Sequence, residues 1–260
     1  PDGIKGLHFA NAVTTINAAA PRLRAAGADA IVVVIHEGVR TKGVPNPQGC
    51  EGASGPLGDI VNQLDGVDVV VSGHTHWAYV CEWPGKNAAR PILMTSAGVF
   101  GTLVTEINLE IDPQSQRLVS RSARNVIVQS EAYRPSADRV SALTDRFPRF
   151  SPRADIADYV ARYAEAARQF ALRPAGRIGG EAVRGGDGTS TGGTLGSLIA
   201  DAQLAATAGA GAQIAFMNPF GIRAPWRLAP GENGQLTFGD LYKVQPFNNV
   251  LMTQTLTGAQ

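Results

Sequence analysis

Residues 30–35 read AIVVVI and run directly into His36, and residues 67–76 read VDVVVSGHTH. Each carries a continuous β-branched run, the form expected of a strand covered on both faces in a parallel sheet. Between them lie a Gly/Pro-rich loop to residue 55 and a helical stretch at residues 56–64, PLGDIVNQL. Strand, helix, strand in that order is a βαβ unit, whose short connections predict a right-handed crossover. The fold class that follows is α/β.

Outward from this unit, Val13, Ile16, Ala20 and Leu23 recur at helical spacing over residues 13–26, and Gly27 is a stop. Downstream, residues 93–96 (LMTS) and 103–111 (LVTEINLEI) read as strands, the second with the alternation of a half-buried one. Residues 130–152 are polar with scattered Pro, and residues 154–172 form a helix rich in Ala and Arg that Pro174 and Gly176 end. A Gly-rich stretch (179–193), a helix (195–206), a strand (212–217), a loop and a segment at 236–256 follow. Three parts are expected: a first domain over 1–129, a connector and linking helix over 130–175, and a second α/β domain over 176–260. No internal repeat is present.

Composition excludes several classes. With 23 Lys and Arg against 22 Asp and Glu, the net charge of +1 leaves no footprint for nucleic acid or an anionic membrane. No apolar run reaches the roughly 18 residues of a membrane span. The first residue is Pro, with no charged segment and apolar run of a signal peptide behind it, and residues 251–260 (LMTQTLTGAQ) read as a strand leading into another element. The chain is therefore expected to be part of a longer one.

Of 4 His residues, three stand where strands end: His36 after the first, His74 and His76 after the second. Ligands of open parallel sheets bind beyond the carboxyl ends of the strands. In extended backbone an i, i+2 pair points to one side, so His74 and His76 could face one ion or two adjacent ions. Loop histidines held by hydrogen bonds are the alternative, and the third His on the neighbouring strand favours metal. His8 has no such context and reads as structural. Arg223 offers a fork that suits phosphate, or else a solvated charge. Phe247, from the residues alone, reads as core. Cys50 and Cys81 could be free and buried or paired, since sequence does not fix their separation. The 179–193 stretch is no P-loop, because no Gly-Lys-Ser/Thr follows it.

Three ordered motifs, IVVVIHEG (31–38), VDVVVSGHTH (67–76) and FGDLYKVQPFNN (238–249), resemble the dinuclear metallophosphoesterases of the 5′-nucleotidase family. The resemblance covers nearly the whole chain. It implies the C-terminal part of a metallophosphoesterase β-sandwich flanked by helices, a linking helix, and the N-terminal part of a nucleotide-binding α/β domain. It also implies two divalent ions such as Zn or Mn, with His36 and His74 on one and His76 on the other. Asn218 would contact the nucleoside, Arg223 the phosphate, and Phe247 one face of the base. An exported enzyme is implied, periplasmic or extracellular, and with it a disulfide between Cys50 and Cys81.

Some of the family pattern has no counterpart here. The Asp-x-His pair, the bridging Asp and the Asn-His that the family places upstream of the first-strand His do not precede His36. The chain by itself is therefore expected to hold no complete catalytic set and to be inactive alone, since three neutral imidazoles neither bridge nor neutralise two divalent ions. Pro219 and Phe220 stand where small residues are usual, which implies a stiffer loop or narrower pocket. Ser190, Thr191, Gly192 and Gly193 supply no second phosphate-binding Arg, and no motif assigns Arg184. The function implied for the complete parent is metal-dependent hydrolysis of nucleotides or other phosphate esters. The alternatives are 2′,3′-cyclic phosphodiesterase/3′-nucleotidase or UDP-sugar hydrolase chemistry on the same scaffold, and a non-catalytic nucleotide-binding remnant.

Overall fold

Helix α1 (Ala12–Ala25) starts at Asn11, whose side chain accepts from the Thr14 backbone N–H and satisfies one orphan donor of the first turn. The computed structural model describes residues 5–42, 47–129, 132–136, 139–185, 193–228 and 234–259. The chain divides into two units, Pro1–Pro152 and Arg153–Gln260.

In the first unit β1 (Val32–Val34) leads through α2 (Pro56–Val61) to β2 (Val69–Val71), and the two strands pair in parallel with Val32 opposite Val69 and Val34 opposite Val71. Two further strands, β3 (Ala78–Trp83) and β4 (Ile92–Ala97), complete a sheet of order β1-β2-β4-β3, in which β3 alone runs antiparallel to its neighbour. Leu57, Val61, Val70, Tyr79 and Met94 form the core between this sheet and the helices. The buried Asp68 carboxylate accepts from the Ile31 N–H and pairs with Arg24, so one charged group fixes the end of α1 against the start of β1. A long hairpin of β5 (Leu103–Asp112) and β6 (Arg117–Ile127) lies beside β3 and β4, and a short one of β7 (Tyr133–Ser136) and β8 (Arg139–Ser141) follows.

In the second unit the chain runs through α3 (Ala154–Ala171), β9 (Pro174–Arg177), α4 (Gly193–Thr207), β10 (Gln235–Thr237) and α5 (Phe238–Val244). β9 and β10 pair antiparallel. The Thr237 hydroxyl caps α5 at the Asp240 N–H while the Asp240 carboxylate returns a bond to the Thr237 N–H. Its small core is Ala182, Leu195, Ile199, Ile222 and Val244.

The mixed α/β class and the βαβ strands and helices appear as expected, and several local expectations are corrected. β2 is buried, but β1 stands at the sheet edge with Val34 80% exposed, so it is not covered on both faces. β3 and β6 add strands to those the sequence predicts, and β7 and β8 form within the stretch that reads as a polar connector. Residues 212–217 are not a strand: they have no ladder partner among the described residues, and Phe216 is 81% exposed. Residues 251–259 likewise form no strand among the described residues. Of the Gly-rich stretch, residues 186–192 lie outside the described residues, and with them Ser190, Thr191 and Gly192.

One polar side chain holds the hairpin to the sheet. Asn125, 5% exposed, donates through Nδ2 to the carbonyls of Pro47 and Ser96 at 2.9 Å each, and its Oδ1 accepts from the Thr105 hydroxyl at 2.6 Å. Asn125→Ala removes these bonds, the one to Ser96 from a buried site, and should lower the unfolding free energy by about 2–4 kcal/mol in urea melts. A change below about 0.5 kcal/mol would show that the network contributes nothing net.

Candidate functional site

The ladder between β1 and β2 continues past both strand ends. The Ile35 N–H donates to the Val71 carbonyl and the Gly73 N–H to the Glu37 carbonyl, each at 3.0 Å. This brings the two exit loops side by side and sets His36 Nε2 3.4 Å from His74 Nδ1, with ring centroids 5.1 Å apart and planes at 71°. The expected extended pair at 74–76 is not found. His74 and His76 both have φ of 64°, a left-handed conformation that L residues seldom adopt, and the His76 ring stands 5.9 Å from that of Phe100.

Two nitrogens about 2.0–2.1 Å from one tetrahedral ion stand about 3.3 Å apart, so His36 and His74 fit two positions of one such ion. The same contact without metal is a long hydrogen bond in which one imidazole donates to the other. Among the described residues no group of three or more His, Cys, Asp or Glu is gathered for a metal. The side chains present thus match part of one ion's shell and do not match a two-ion centre.

Side chains behind the loops fix their course. Tyr79 is fully buried, and its phenol lies 2.5 Å from the Ser72 hydroxyl and 3.3 Å from the Val39 N–H. Ser72 donates its single proton to the Thr95 carbonyl, so the phenol donates to Ser72 and accepts from Val39. The available signal was a large phenol in an apolar strand, which needs a partner once buried. Cys50 and Cys81 are joined in a disulfide with Cα atoms 5.5 Å apart, tying the loop after His36 to β3. Arg40 lies over the Trp77 ring at 4.8 Å.

In the second unit Asn218, Arg223 and Phe247 converge. The Asn218 side chain accepts from the Phe220 N–H and caps a 3₁₀ turn, Pro219–Gly221, with Pro at its first position. Buried Ile222 anchors the end of that turn, and the Arg223 N–H donates to the Val244 carbonyl at 2.8 Å. The Arg223 guanidinium then reaches the Phe247 ring, 5.6 Å from its centroid. Phe247 is 52% exposed, so it is not the core residue its local sequence implied. Asn218 and Phe247 both line a groove of about 1060 Å³ that includes Phe216, Trp226 and Tyr242. Apolar walls with a few polar groups are the usual make-up of a small-molecule site.

Residues 175–260 match the family described as 5′-nucleotidase, C-terminal domain. The chain is 28% identical over 259 residues to Endonuclease YhcR of Bacillus subtilis (strain 168), covering 99% of itself and 18% of that protein. It is 27% identical over 266 residues to Cell wall protein Lmo0130 of Listeria monocytogenes serovar 1/2a (strain ATCC BAA-679 / EGD-e), covering 98% and 32%. With the Trifunctional nucleotide phosphoesterase protein YfkN of B. subtilis it shares 27% over 203 residues, covering 78% and 12%. The chain therefore spans less than a third of these curated relatives. Its fold matches that of a 5′-nucleotidase precursor from Thermus thermophilus with a TM-score of 0.57 at 22% identity, over 93% of this chain and 43% of that one. The resemblance carried by the three motifs is borne out.

Two outcomes are expected. Non-reduced, alkylated protein should show no labelled thiol by mass spectrometry. Reducing the 31-residue Cys50–Cys81 link should cost roughly 3–4 kcal/mol of stability by the loop-closure relation. Labelling of both thiols without reductant would contradict the bridge. Burial raises the Tyr79 phenol above its ordinary 10.0. Its contribution to stability is then fully present below pH about 10 and is lost as pH rises through the higher folded value. Tyr79→Phe should flatten this alkaline decline in melting temperature measured against pH; an unchanged slope would assign it to other groups.

Proposed function

We propose that the protein to which these residues belong is an exported, metal-dependent phosphohydrolase that acts on nucleotides. The observation that carries the reading is the His36–His74 pair, two imidazole nitrogens at 3.4 Å beyond the carboxyl ends of two parallel strands. Divalent ions bound at such a site would polarise phosphoryl oxygens and lower the pKa of water. The chain's own share is to hold His36 and His74 as ligands, with His76 serving a second ion once further ligands are supplied. The missing donors are carboxylates and an Asn-His from outside the motifs present, in keeping with a chain that spans only part of its relatives.

The second unit supplies substrate recognition in this reading. Phe247 offers a half-exposed ring for a base, Asn218 a polar side chain beside it, and Arg223 a fork for phosphate. The matching family and the name of the YfkN relative support a phosphoester of a nucleotide as the substrate class. Export is supported by the disulfide, a bond that persists in oxidising compartments, and by the cell wall protein among the relatives. A non-catalytic nucleotide-binding role is favoured by one observation, the lack of any three-ligand group among the described residues.

Kinetics of the intact protein on a nucleotide and on a small aryl phosphate separate these roles. Phe247→Ala should lower kcat/KM for the nucleotide by about 5- to 150-fold, equivalent to about 1–3 kcal/mol of stacking, and spare the aryl phosphate. Arg223→Ala should impair both, and His74→Ala should remove most turnover. Unchanged nucleotide selectivity with a lowered melting temperature in Phe247→Ala would make Phe247 a packing residue. Normal turnover in His74→Ala would overturn the metal assignment.

A further inference from the structure

We propose that Thr75 is a positioning residue whose hydroxyl sets the distance between the imidazoles of His36 and His74. The inference deepens the metal-dependent reading and rests on it for its chemical purpose. Thr75 lies between the two left-handed histidines, and its hydroxyl donates to the Val39 carbonyl at 2.9 Å while accepting from the Trp77 N–H at 3.4 Å. One proton and two lone pairs serve both bonds at once. The Thr75 N–H in turn donates to the Gly73 carbonyl at 2.7 Å, which closes the turn that carries His74.

The two loops meet too closely for this contact to be incidental. A Cβ built on Gly38 would come within 2.3 Å of the Gly73 carbonyl oxygen and 2.6 Å of the Thr75 hydroxyl oxygen. Glycine at 38 is thus what allows the hydroxyl to reach the neighbouring loop. Val39 is held on both sides, its N–H by the Tyr79 phenol and its carbonyl by Thr75. Of these two bonds, the one from Thr75 comes from within the turn that carries His74, one residue away. Because φ at 74 and 76 is strained, the turn needs bonds of this kind to keep it from relaxing. Relaxation would move His74 relative to His36, whose loop is fixed at Val39.

Selective ¹³C,¹⁵N labelling of histidine in the full chain tests this, since 4 His residues give few signals. In metal-free protein the His36 and His74 rings should show a ring-to-ring NOE that persists in Thr75→Ser and is lost in Thr75→Val. Gly38→Ala, which keeps the hydroxyl but forces the loops apart, should also lose it and serves if Thr75→Val does not fold. A wild-type NOE in folded Thr75→Val or Gly38→Ala overturns the proposal. In Co²⁺ titrations of the same proteins Thr75→Val should bind about 10- to 100-fold more weakly than Thr75→Ser. Equal affinities for the two also overturn it. Co²⁺ affinity that survives His36→Ala overturns the functional reading instead, and the NOE still decides the role of Thr75.

Discussion

The parallel register of β1 on β2 is the constraint on which the first unit depends. Val34 faces Val71, so the chain leaves the sheet at the same level on both strands, and two loops far apart in sequence begin side by side. A slip of one residue would shift one loop by about 3.3 Å along the strand and turn its side chains to the opposite face. Val70 would then leave the core and His36 would no longer meet His74. The register is held by burial of β2 and by Asp68, which accepts from the Ile31 N–H at 2.7 Å just before β1.

What the sequence made legible was what depends on local pattern. AIVVVI, VDVVV and the helical spacing of residues 13–26 and 154–172 each carry their periodicity in a few neighbouring residues. So do the strand-end positions of His36 and His74, because they need only the strand to be recognised. β3, within Trp77–Trp83 (WAYVCEW), lacks a clean alternation and is a strand because β4 lies beside it, Ala78 opposite Ala97 and Trp83 opposite Ile92. β6 reads RLVSRSARNVI, without a clean alternation of polar and apolar positions, and is a strand only because β5 lies beside it. Residues 212–217 show the converse: an apolar pattern alone makes no strand where no ladder partner stands among the described residues.

The geometry of the candidate site was less accessible still. The backbone at His74 and His76 is left-handed, and the residue between them bonds across to the Val39 carbonyl of the neighbouring loop, neither of which spacing can reveal. The Arg223–Phe247 contact likewise joins positions 24 apart through the Val244 carbonyl that fixes the Arg223 backbone. The sequence presented these two as separate contacts to opposite ends of a ligand. In the folded unit one face of the ring is shared with the guanidinium, so the two are physically coupled before any ligand arrives.

The disulfide has a topological consequence for a protein exposed to proteases. Cys50 lies between His36 and His74 in sequence, and Cys81 lies beyond His76. A single cut anywhere from residue 51 to residue 80 leaves two pieces still covalently joined, with His36 on one and both downstream strands β3 and β4, wholly or in part, on the other. A cut between His36 and Cys50 opens the chain outside the bridge, and nothing covalent then links the two halves of the histidine pair. Nicks on the two sides of Cys50 are therefore unequal: one is survivable by connectivity, and the other leaves the pair to non-covalent contacts alone.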